Sequence, residues 1–549
     1  MFDLLITNAW IVDGTGQPGF LGEVGIENGL ITSVSRGPAN AITRGADAED
    51  ADHTGTSPTC KLAVRVVDVK EQVLAPGFID LHSHSDFSIM SSPAAETQLL
   101  QGVTTALVGN CGSSPFPTQS VQAMQHDAAH LDAELLGNWN DAAGFAAELD
   151  VMQPGMNLAL QVGLSSIRNY VMGPVDQPPS TAQLREMTDQ VAIAAEAGVY
   201  GFSSGLIYAP GSYARSAEVR ALVAEASRND LLYSTHMRNE SGQLLDAVRE
   251  AIETAKYSGA KLEISHLKAM GPENHGLTAD ALKIIERARH EGVDVKADVY
   301  PYTASSTRLT SRLPGYALDG GKQALLEQLA DPQQRARIAK DLASRFGKDI
   351  DPEGVIIASL DERGGQGADY SWAVGKSLAD IGLQDGCAAE EAALRVLASH
   401  DASVGIVNHA MSSEEVASVL AHPLVSVASD GWTMRARGEG KPHPRSFGTF
   451  VRVLEKYVRE QGLLTMEEAI RKMTSQPAER LGFRDRGVVD VGRIADIAIF
   501  DPATVRQNST YEEPWQLASG VSTVIIGGNL AVENGRISRR RFGRVLRKG

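Results

Sequence analysis

Apolar runs that alternate with amphipathic helical stretches are the feature of this sequence that most limits the folds open to it. The helical stretches include 182–197, 215–228 and 243–257,. The runs recur at intervals close to those of successive strand and helix pairs, at 103–108, 157–162, 198–202, 231–236, 261–266, 293–299, 404–408 and 424–428. With a further strand before residue 82, eight or nine candidate strands predict an α/β fold, a TIM-like (β/α)8 barrel, with room for one accessory strand,.

Short strands at both ends of the chain predict a second, smaller domain. They are separated by turns such as Asp13-Gly14 and Asn28-Gly29, and lie at 3–12, 22–27, 31–35, 494–500 and 521–526,. We therefore expect a composite β-sandwich domain built from residues 1–73 and 483–549. The barrel domain would then occupy residues 74–482.

Two segments predict insertions into this arrangement. Residues 38–63 are rich in Ala, Asp, Thr and Gly and indicate a flexible insertion in the terminal domain,. Approximately residues 308–400 fill one long gap between barrel strands, which indicates an inserted lid segment,.

Composition narrows the possible partners and the compartment. The net charge of −17 argues against binding to nucleic acid, because phosphate recognition needs a basic surface,. Three cysteines in 549 residues do not make a disulfide framework, which favours a reducing compartment,. We find no signal peptide and no apolar run long enough for a membrane span, so we expect a cytoplasmic protein,.

Residues of the kinds that bind metals end several of the predicted strands. In V-L-A-P-G-F-I-D-L-H-S-H-S-D (73–86), two histidines two residues apart can point to the same side of a strand,. The full set at strand ends is His82, His84, Cys111, His236, His266 and Asp430. A barrel gathers its chemistry at the carboxyl ends of its strands, and a set of Cys, His and Asp favours zinc.

The sequence also resembles the D-aminoacylases, the N-acyl-D-amino-acid deacylases of the amidohydrolase superfamily, over nearly its whole length. Matching stretches include A-P-G-F-I-D-L-H-S-H-S-D (75–86), Q-G-V-T-T-A-L-V-G-N-C-G-S-S-P (101–115), G-F-S-S-G-L-I-Y-A-P-G-S-Y-A (201–214), S-T-H-M-R-N-E (234–240), E-I-S-H-L-K (263–268), D-V-Y-P-Y-T-A-S-S-T (298–307), A-S-D-G (428–431) and H-P-R-S-F-G-T-F (443–450). The resemblance implies hydrolysis of the amide between an acyl group and a D-amino acid.

The resemblance also implies how the ligands divide between two zinc ions. Cys111, His236 and His266 would form the tight site, and a second, weaker site would consist of His82, His84 and Asp430. Many relatives bridge two metals with a carboxylated lysine, but this chain has no lysine between Lys70 and Lys256. The thiolate of Cys111 is therefore the expected bridging group.

The expected reaction follows from what zinc does to water. Zinc lowers the pKa of bound water to about 7, which makes it a nucleophile toward an amide at neutral pH. Asp430 would accept the proton as general base and return it to the leaving nitrogen,.

Other residues are assigned to the substrate through the resemblance. An N-acyl amino acid carries a carboxylate, which needs cationic or hydroxyl donors in a pocket. The expected donors are Lys268, Tyr300, Ser306 and one of the two arginines Arg435 and Arg437, between which the sequence does not choose. Tyr208 would polarise the scissile carbonyl.

One position departs from the family pattern. Relatives commonly carry V-G-H where this chain reads Val162-Gly163-Leu164. An apolar side chain in place of histidine would disfavour buried polar substrate atoms, which predicts a preference for apolar substrates.

Alternative functions remain open from the sequence. Another amide, a carbamoyl group, or a peptide-like or cyclic substrate could use the same residues. A protein of a different class, a non-catalytic scaffold with this fold, is disfavoured because all six predicted ligands are present,. Neither the oligomeric state nor the preferred acyl group can be read from the sequence.

Overall fold

Eight parallel strands form the centre of the molecule. The computed structural model describes residues 1–37, 63–122, 124, 135, 137–360 and 368–549. In the described part of the chain, the barrel strands are Phe78–Ser83, Val103–Val108, Asn157–Gly163, Gly201–Gly205, Leu232–His236, Leu262–Ile264, Val295–Val299 and Val425–Val427. Each strand pairs with the next in this order, so the predicted (β/α)8 barrel is confirmed.

The first and last strands meet just beyond their carboxyl ends and close the barrel. The Asp430 backbone N–H donates to the His82 carbonyl at 2.8 Å, and His84 N–H donates to the Gly431 carbonyl at 2.8 Å. Beneath this seam, the buried carboxylate of Asp80 accepts hydrogen bonds from the backbone N–H of Ser429 at 2.9 Å and from its hydroxyl. Closure therefore brings two of the predicted metal ligands together.

Helices alternate with the strands and cover the barrel. The three predicted helices are confirmed as Thr181–Glu196, Ser216–Arg228 and Leu244–Ser258. The other α-helices and one π-helix are Ser85–Ser88, Glu96–Leu99, Ala142–Met152, Leu164–Met172, Leu277–His290, Gly321–Ala330, Pro332–Ala343, Leu378–Asp385, Ala389–Ser399, Ser413–Ala421, Arg445–Arg452, Val453–Glu460 (π), Met466–Met473 and Ser475–Leu481. Short 3₁₀ turns lie at Gly211–Tyr213, Pro272–Asn274, Leu309–Arg312, Gly315–Leu318 and Ser371–Ala373.

Both ends of the chain form a second sheet. Its nine described strands are Phe2–Ile11, Phe20–Glu27, Leu30–Arg36, Ala63–Asp68, Val73–Pro76, Ile497–Phe500, Val521–Ile526, Asn529–Glu533 and Arg536–Ile537. It encloses its own apolar core, which includes Leu4, Ile6, Val24, Ile497 and Ile525. The predicted composite β domain is present, but its hydrogen bonds run through a single sheet, because Phe2–Ile11 pairs with three other strands.

A small sheet interrupts the barrel after its seventh strand. It is antiparallel and consists of Ala304–Arg308, Val355–Leu360 and Val404–His409. The predicted strand at 404–408 is therefore the accessory strand and lies in the insertion. Residues of the inserted segment pack around a separate apolar core that includes Leu309, Ile357 and Ile406.

Two sequence predictions concern other features of the chain. Within the described ranges, no helix has the length and apolar character needed to cross a membrane. The predicted flexible insertion at 38–63 lies outside the described residues except for Ala63.

Candidate metal centre

The predicted ligands meet at the carboxyl-end rim of the barrel. His82 is the second-last residue of its strand and His236 is the last residue of its strand. Cys111, His266 and Asp430 lie two or three residues beyond the ends of their strands. All five have at most 7% of their surface exposed, and the His84 side chain is 20% exposed. Their common location follows from the parallel strands, since every strand ends at the same rim.

Cys111 lies at the centre of the ligand cluster. Its Sγ is 3.3 Å from His82 Nε2, 3.7 Å from His236 Nδ1 and 3.6 Å from His266 Nε2. The thiol thus contacts histidines from both of the predicted ligand groups. This is the arrangement expected of a group shared between two ions.

Asp430 connects the cluster to the histidine pair of the first strand. Its Oδ1 lies 3.0 Å from His84 Nε2 and 3.5 Å from His82 Nε2. Its Oδ2 accepts a hydrogen bond from Arg445 Nη1 at 2.7 Å. One carboxylate oxygen therefore faces the predicted metal ligands and the other is held by a buried arginine.

Two buried carboxylates that the sequence reasoning missed contact the outer nitrogens of the histidines. Glu240 Oε1 lies 3.0 Å from His266 Nδ1, and its Oε2 lies 3.4 Å from His236 Nε2. Asp298 Oδ2 lies 3.5 Å from His82 Nδ1. Such partners orient a ligating histidine and determine which nitrogen is free to bind. Glu240 could have been found because it stands four residues after His236 in S-T-H-M-R-N-E.

Three of the predicted ligands have a left-handed backbone. The φ angles of Cys111, His266 and Asp430 are 54°, 38° and 50°. A non-glycine residue pays about 1 to 3 kcal/mol for such a conformation, and these residues concentrate at functional sites. Gly205 permits the turn at Cys111, because a Cβ there would lie 1.9 Å from the Cys111 carbonyl oxygen.

The local electrostatics favour the ionised forms of both acidic ligands. Burial would raise the pKa of the Cys111 thiol, but His82, His236 and His266 hold it well below its ordinary value. Burial would likewise raise the pKa of Asp430, but Arg445 and then His82 hold it well below its ordinary value. Thiolate and carboxylate are the forms that bind metal.

The donor set and its spacing fit zinc. With Zn–S near 2.3 Å and Zn–N near 2.05 Å, tetrahedral geometry separates a sulfur from a nitrogen ligand by about 3.6 Å. The distances from Cys111 Sγ to His236 and His266, 3.7 and 3.6 Å, match this value. His82, Cys111, His266 and Asp430 form one group of residues whose possible ligand atoms all lie within 4.8 Å of one another.

The residues assigned to the substrate lie around this cluster. Lys268 Nζ is 2.5 Å from Glu240 Oε1 and 2.7 Å from His266 Nδ1. The buried Tyr300 hydroxyl has no hydrogen-bond partner in the described part of the chain. Half-buried Tyr208 accepts a hydrogen bond from the Thr307 hydroxyl at 3.2 Å. The loss of solvent and, next in size, the negative charge of Cys111 raise the pKa of Tyr208. The tyrosine therefore stays protonated and able to donate.

Arg445 contacts two of these residues. Its side chain is buried, its Nη2 donates to the Ser306 carbonyl at 3.2 Å, and its guanidinium carbon lies 4.9 Å from the Tyr300 ring centroid. The two arginines predicted from the sequence, Arg435 and Arg437, are both exposed, and Arg435 Nε donates to the Ser91 carbonyl at 3.2 Å. Arg445 could have been found in the motif H-P-R-S-F-G-T-F.

Leu164, where the chain departs from the family pattern, begins the helix Leu164–Met172 and is fully buried. It packs in the main apolar core, together with Ile167 and Val162.

Comparisons with known proteins agree with this geometry. Residues 65–532 match the model of the amidohydrolase family. The chain is 34% identical to the N-acyl-D-glutamate deacylase of Alcaligenes xylosoxydans xylosoxydans, over 100% of this chain and 96% of that protein. It is 29% identical to the D-aminoacylase of the same organism, over 99% of this chain and 97% of that protein.

A solved structure gives the same result. The N-acyl-D-glutamate deacylase of Bordetella bronchiseptica, complexed with zinc and a phosphonate inhibitor that mimics the tetrahedral intermediate, superposes with a TM-score of 0.79. It is 31% identical, and the match covers 100% of this chain and 99% of that one. The protein therefore belongs to the amidohydrolase family.

Proposed function

We propose that this protein is a zinc-dependent deacylase that hydrolyses N-acyl-D-amino acids to a carboxylate and a free D-amino acid. The observation that carries the proposal is the buried Cys111 thiol with three histidine nitrogens within 3.7 Å. Relatives that match this chain from end to end are deacylases of N-acyl-D-amino acids by name.

The ligands would divide as the sequence predicts. Cys111, His236 and His266 would hold the tight zinc, and His82, His84 and Asp430 would hold the weaker one. When bound, zinc would lower the pKa of a water molecule and polarise the amide carbonyl.

Asp430 would carry the proton between the two halves of the reaction. It would accept a proton from the attacking water at Oδ1, the oxygen that faces His84, and return it to the amide nitrogen,. The bond from Arg445 to Oδ2 restrains rotation of the carboxylate, so that Oδ1 stays on the side of the histidines.

The substrate carboxylate would bind between Arg445, Lys268 and Tyr300. The two cations flank the Tyr300 ring, with Lys268 Nζ 5.7 Å and the Arg445 guanidinium carbon 4.9 Å from its centroid. The unpartnered Tyr300 hydroxyl supplies a further donor. Ser306 would help from the strand Ala304–Arg308, whereas Arg435 and Arg437 are exposed.

Tyr208 would orient the scissile carbonyl. Its ring centroid is 4.8 Å from that of His236, next to the tight site. Because the bond from Thr307 occupies a lone pair of the Tyr208 oxygen, its proton is free to donate to a carbonyl oxygen,.

Two kinds of amino-acid side chain are candidates for the preferred substrate. The apolar preference inferred from Leu164 is the first. The second is an acidic side chain, supported by Arg312, which is buried at the end of the turn Leu309–Arg312. Burial and then Arg345 lower the pKa of Arg312, while Tyr208 opposes this shift. An arginine buried beside another arginine and near the site would favour an anionic ligand.

A matched panel of N-acyl-D- and N-acyl-L-amino acids, assayed with the zinc-loaded protein, tests the proposal. We expect turnover of the D series. Preference for the L series would overturn the D-amino-acid assignment, and a protein that neither binds zinc nor gains activity from it would support the scaffold alternative. Within the D series, N-acetyl-D-glutamate against N-acetyl-D-leucine separates the two side-chain candidates.

We further propose that the protein is cytoplasmic. We also propose that its partner is a small-molecule substrate. The acidic chain, with its charge of −17, disfavours nucleic acid,.

A further inference from the structure

Glu240 is a buried acid placed between three other functional groups. Only 2% of it is exposed, and it lies four residues after His236, in the loop that follows the strand Leu232–His236. Its backbone carbonyl accepts a hydrogen bond from Met270 N–H at 2.7 Å, which ties this loop to the one after the next strand. The carboxylate is thus held between the ends of two neighbouring barrel strands.

Each oxygen of this carboxylate serves a different histidine. Oε2 lies 3.4 Å from His236 Nε2, and Oε1 lies 3.0 Å from His266 Nδ1. The opposite ring nitrogens, His236 Nδ1 and His266 Nε2, lie 3.7 and 3.6 Å from Cys111 Sγ. In the described residues His236 Nε2 has no hydrogen-bond partner, and His266 Nδ1 also lies 2.7 Å from Lys268 Nζ. Glu240 is therefore the acidic group that faces the outer nitrogen of both rings, the position from which a carboxylate orients a metal-binding histidine,.

The position of Glu240 also explains why the two histidines use different nitrogens. They approach the thiol from two strands, and the single carboxylate between them faces Nε2 of one ring and Nδ1 of the other. A carboxylate at the outer nitrogen of each ring favours the ring orientation in which the inner nitrogen faces a metal beside Cys111.

The same carboxylate anchors the substrate-side lysine. Lys268 Nζ lies 2.5 Å from Oε1 and is 94% buried, so Glu240 supplies the charge that makes its burial tolerable,. Of the three donors of the ammonium group, at least one is left for another acceptor.

We propose that Glu240 is a positioning residue that orients both His236 and His266 for zinc binding and anchors Lys268 beside them. This inference rests on the proposed zinc-dependent function. Glu240 would thus support both the metal site, through His236 and His266, and the site for the substrate carboxylate, through Lys268.

Zinc affinity of Glu240→Gln tests the proposal directly. The amide keeps the shape of the side chain but has one acceptor oxygen, so it cannot accept from both histidines. We expect the zinc dissociation constant, measured by competition with a chelating dye, to rise about 10- to 100-fold. In the cobalt-substituted protein, the thiolate charge-transfer and visible bands should change, because the ligand geometry loosens.

Two variants provide the controls. Glu218→Gln alters another buried glutamate, paired with Arg168 at 2.6 Å, and should keep wild-type zinc affinity and cobalt bands even if it lowers the melting temperature. Lys268→Met should also keep zinc affinity while raising KM, since Glu240 still faces both histidines.

The outcomes are distinct from those that test the function. If Glu240→Gln binds zinc as tightly as the wild type, with the same cobalt spectrum, the proposal is wrong although the zinc hydrolase stands. If Glu240→Gln does not fold, Glu240→Asp replaces it: its charge still balances Lys268, but the carboxylate is withdrawn by one methylene, and zinc affinity should again fall. Unchanged affinity in Glu240→Asp would equally refute the role.

Discussion

Arg445 holds Oδ2 of Asp430 at 2.7 Å, across the seam where the barrel closes. The arginine begins the helix Arg445–Arg452, whereas the aspartate follows the last barrel strand. The bond leaves Oδ1 as the oxygen that faces His84. One oxygen of the carboxylate is therefore held by Arg445, and the other is available for proton transfer.

Asp430→Asn should separate proton transfer from metal binding. The amide can still accept from Arg445, so we expect the local structure to persist, and the proposed tight-site ligands Cys111, His236 and His266 are unchanged. Turnover should fall by about 10²- to 10⁴-fold, the usual contribution of a positioned acid or base. Zinc content and kcat measured on the same sample check this; near-normal turnover would remove Asp430 from the mechanism.

Replacing His82 and His84 together should remove only the weaker metal position. With both changed to Asn, Cys111, His236 and His266 still offer three ligands, which is the number typical of a catalytic zinc site, and about one zinc should remain bound. Metal analysis after dialysis measures this. Loss of all zinc would mean that His82, which lies 3.3 Å from Cys111 Sγ, belongs to the main ion.

The strand-end ligands were accessible from the sequence because each follows an apolar run within a few residues. Parallel strands share one rim, so order along the chain was enough to place His82, Cys111, His236, His266 and Asp430 together. The same reasoning located the strand at 404–408 as a candidate but could not assign it to the insertion, since an apolar run does not reveal its partner strands,.

Residues on loops and helix starts were harder to place. Arg445 is fifteen positions from Asp430 and reaches it because its helix packs against the closing seam, whereas Arg435 and Arg437 are nearer in sequence but exposed. Glu240 was missed for a similar reason. Its role depends on Lys268 and His266 from the next strand, which no spacing within its own motif can show.

Arg312→Met should discriminate between the two side-chain candidates. If the guanidinium contacts an acidic side chain, kcat/KM for N-acetyl-D-glutamate should fall about 10- to 100-fold, because a charge-assisted contact contributes about 1.5 to 3 kcal/mol. The value for N-acetyl-D-leucine should stay within about threefold of the wild type, since an apolar side chain makes no such contact. Equal losses on both substrates would place Arg312 outside the side-chain pocket.

Glu263, which is not among the proposed substrate-binding residues, allows a test of how the free energy of unfolding depends on pH. Burial raises the pKa of Glu263 to about 7, although Arg480 Nε is 2.8 Å away, because the arginine also pairs with Asp294 at 2.7 Å and the charge of Asp298 opposes ionisation. The folded protein therefore keeps a proton that the unfolded chain loses near pH 4.5. The raised pKa contributes stability at low pH, and this contribution is lost as the pH rises toward 7.

Glu263→Gln removes this titration while keeping the size of the side chain. The free energy of unfolding of the wild type relative to the variant, obtained from melting curves, should therefore decline between pH 5.5 and 7, with a slope of at most about 1.4 kcal/mol per pH unit, and level off above pH 7. Loss of zinc at acidic pH affects both proteins alike, so it cancels in the difference. A difference that is constant over this range, or that grows with pH, would show that Arg480 keeps Glu263 ionised throughout.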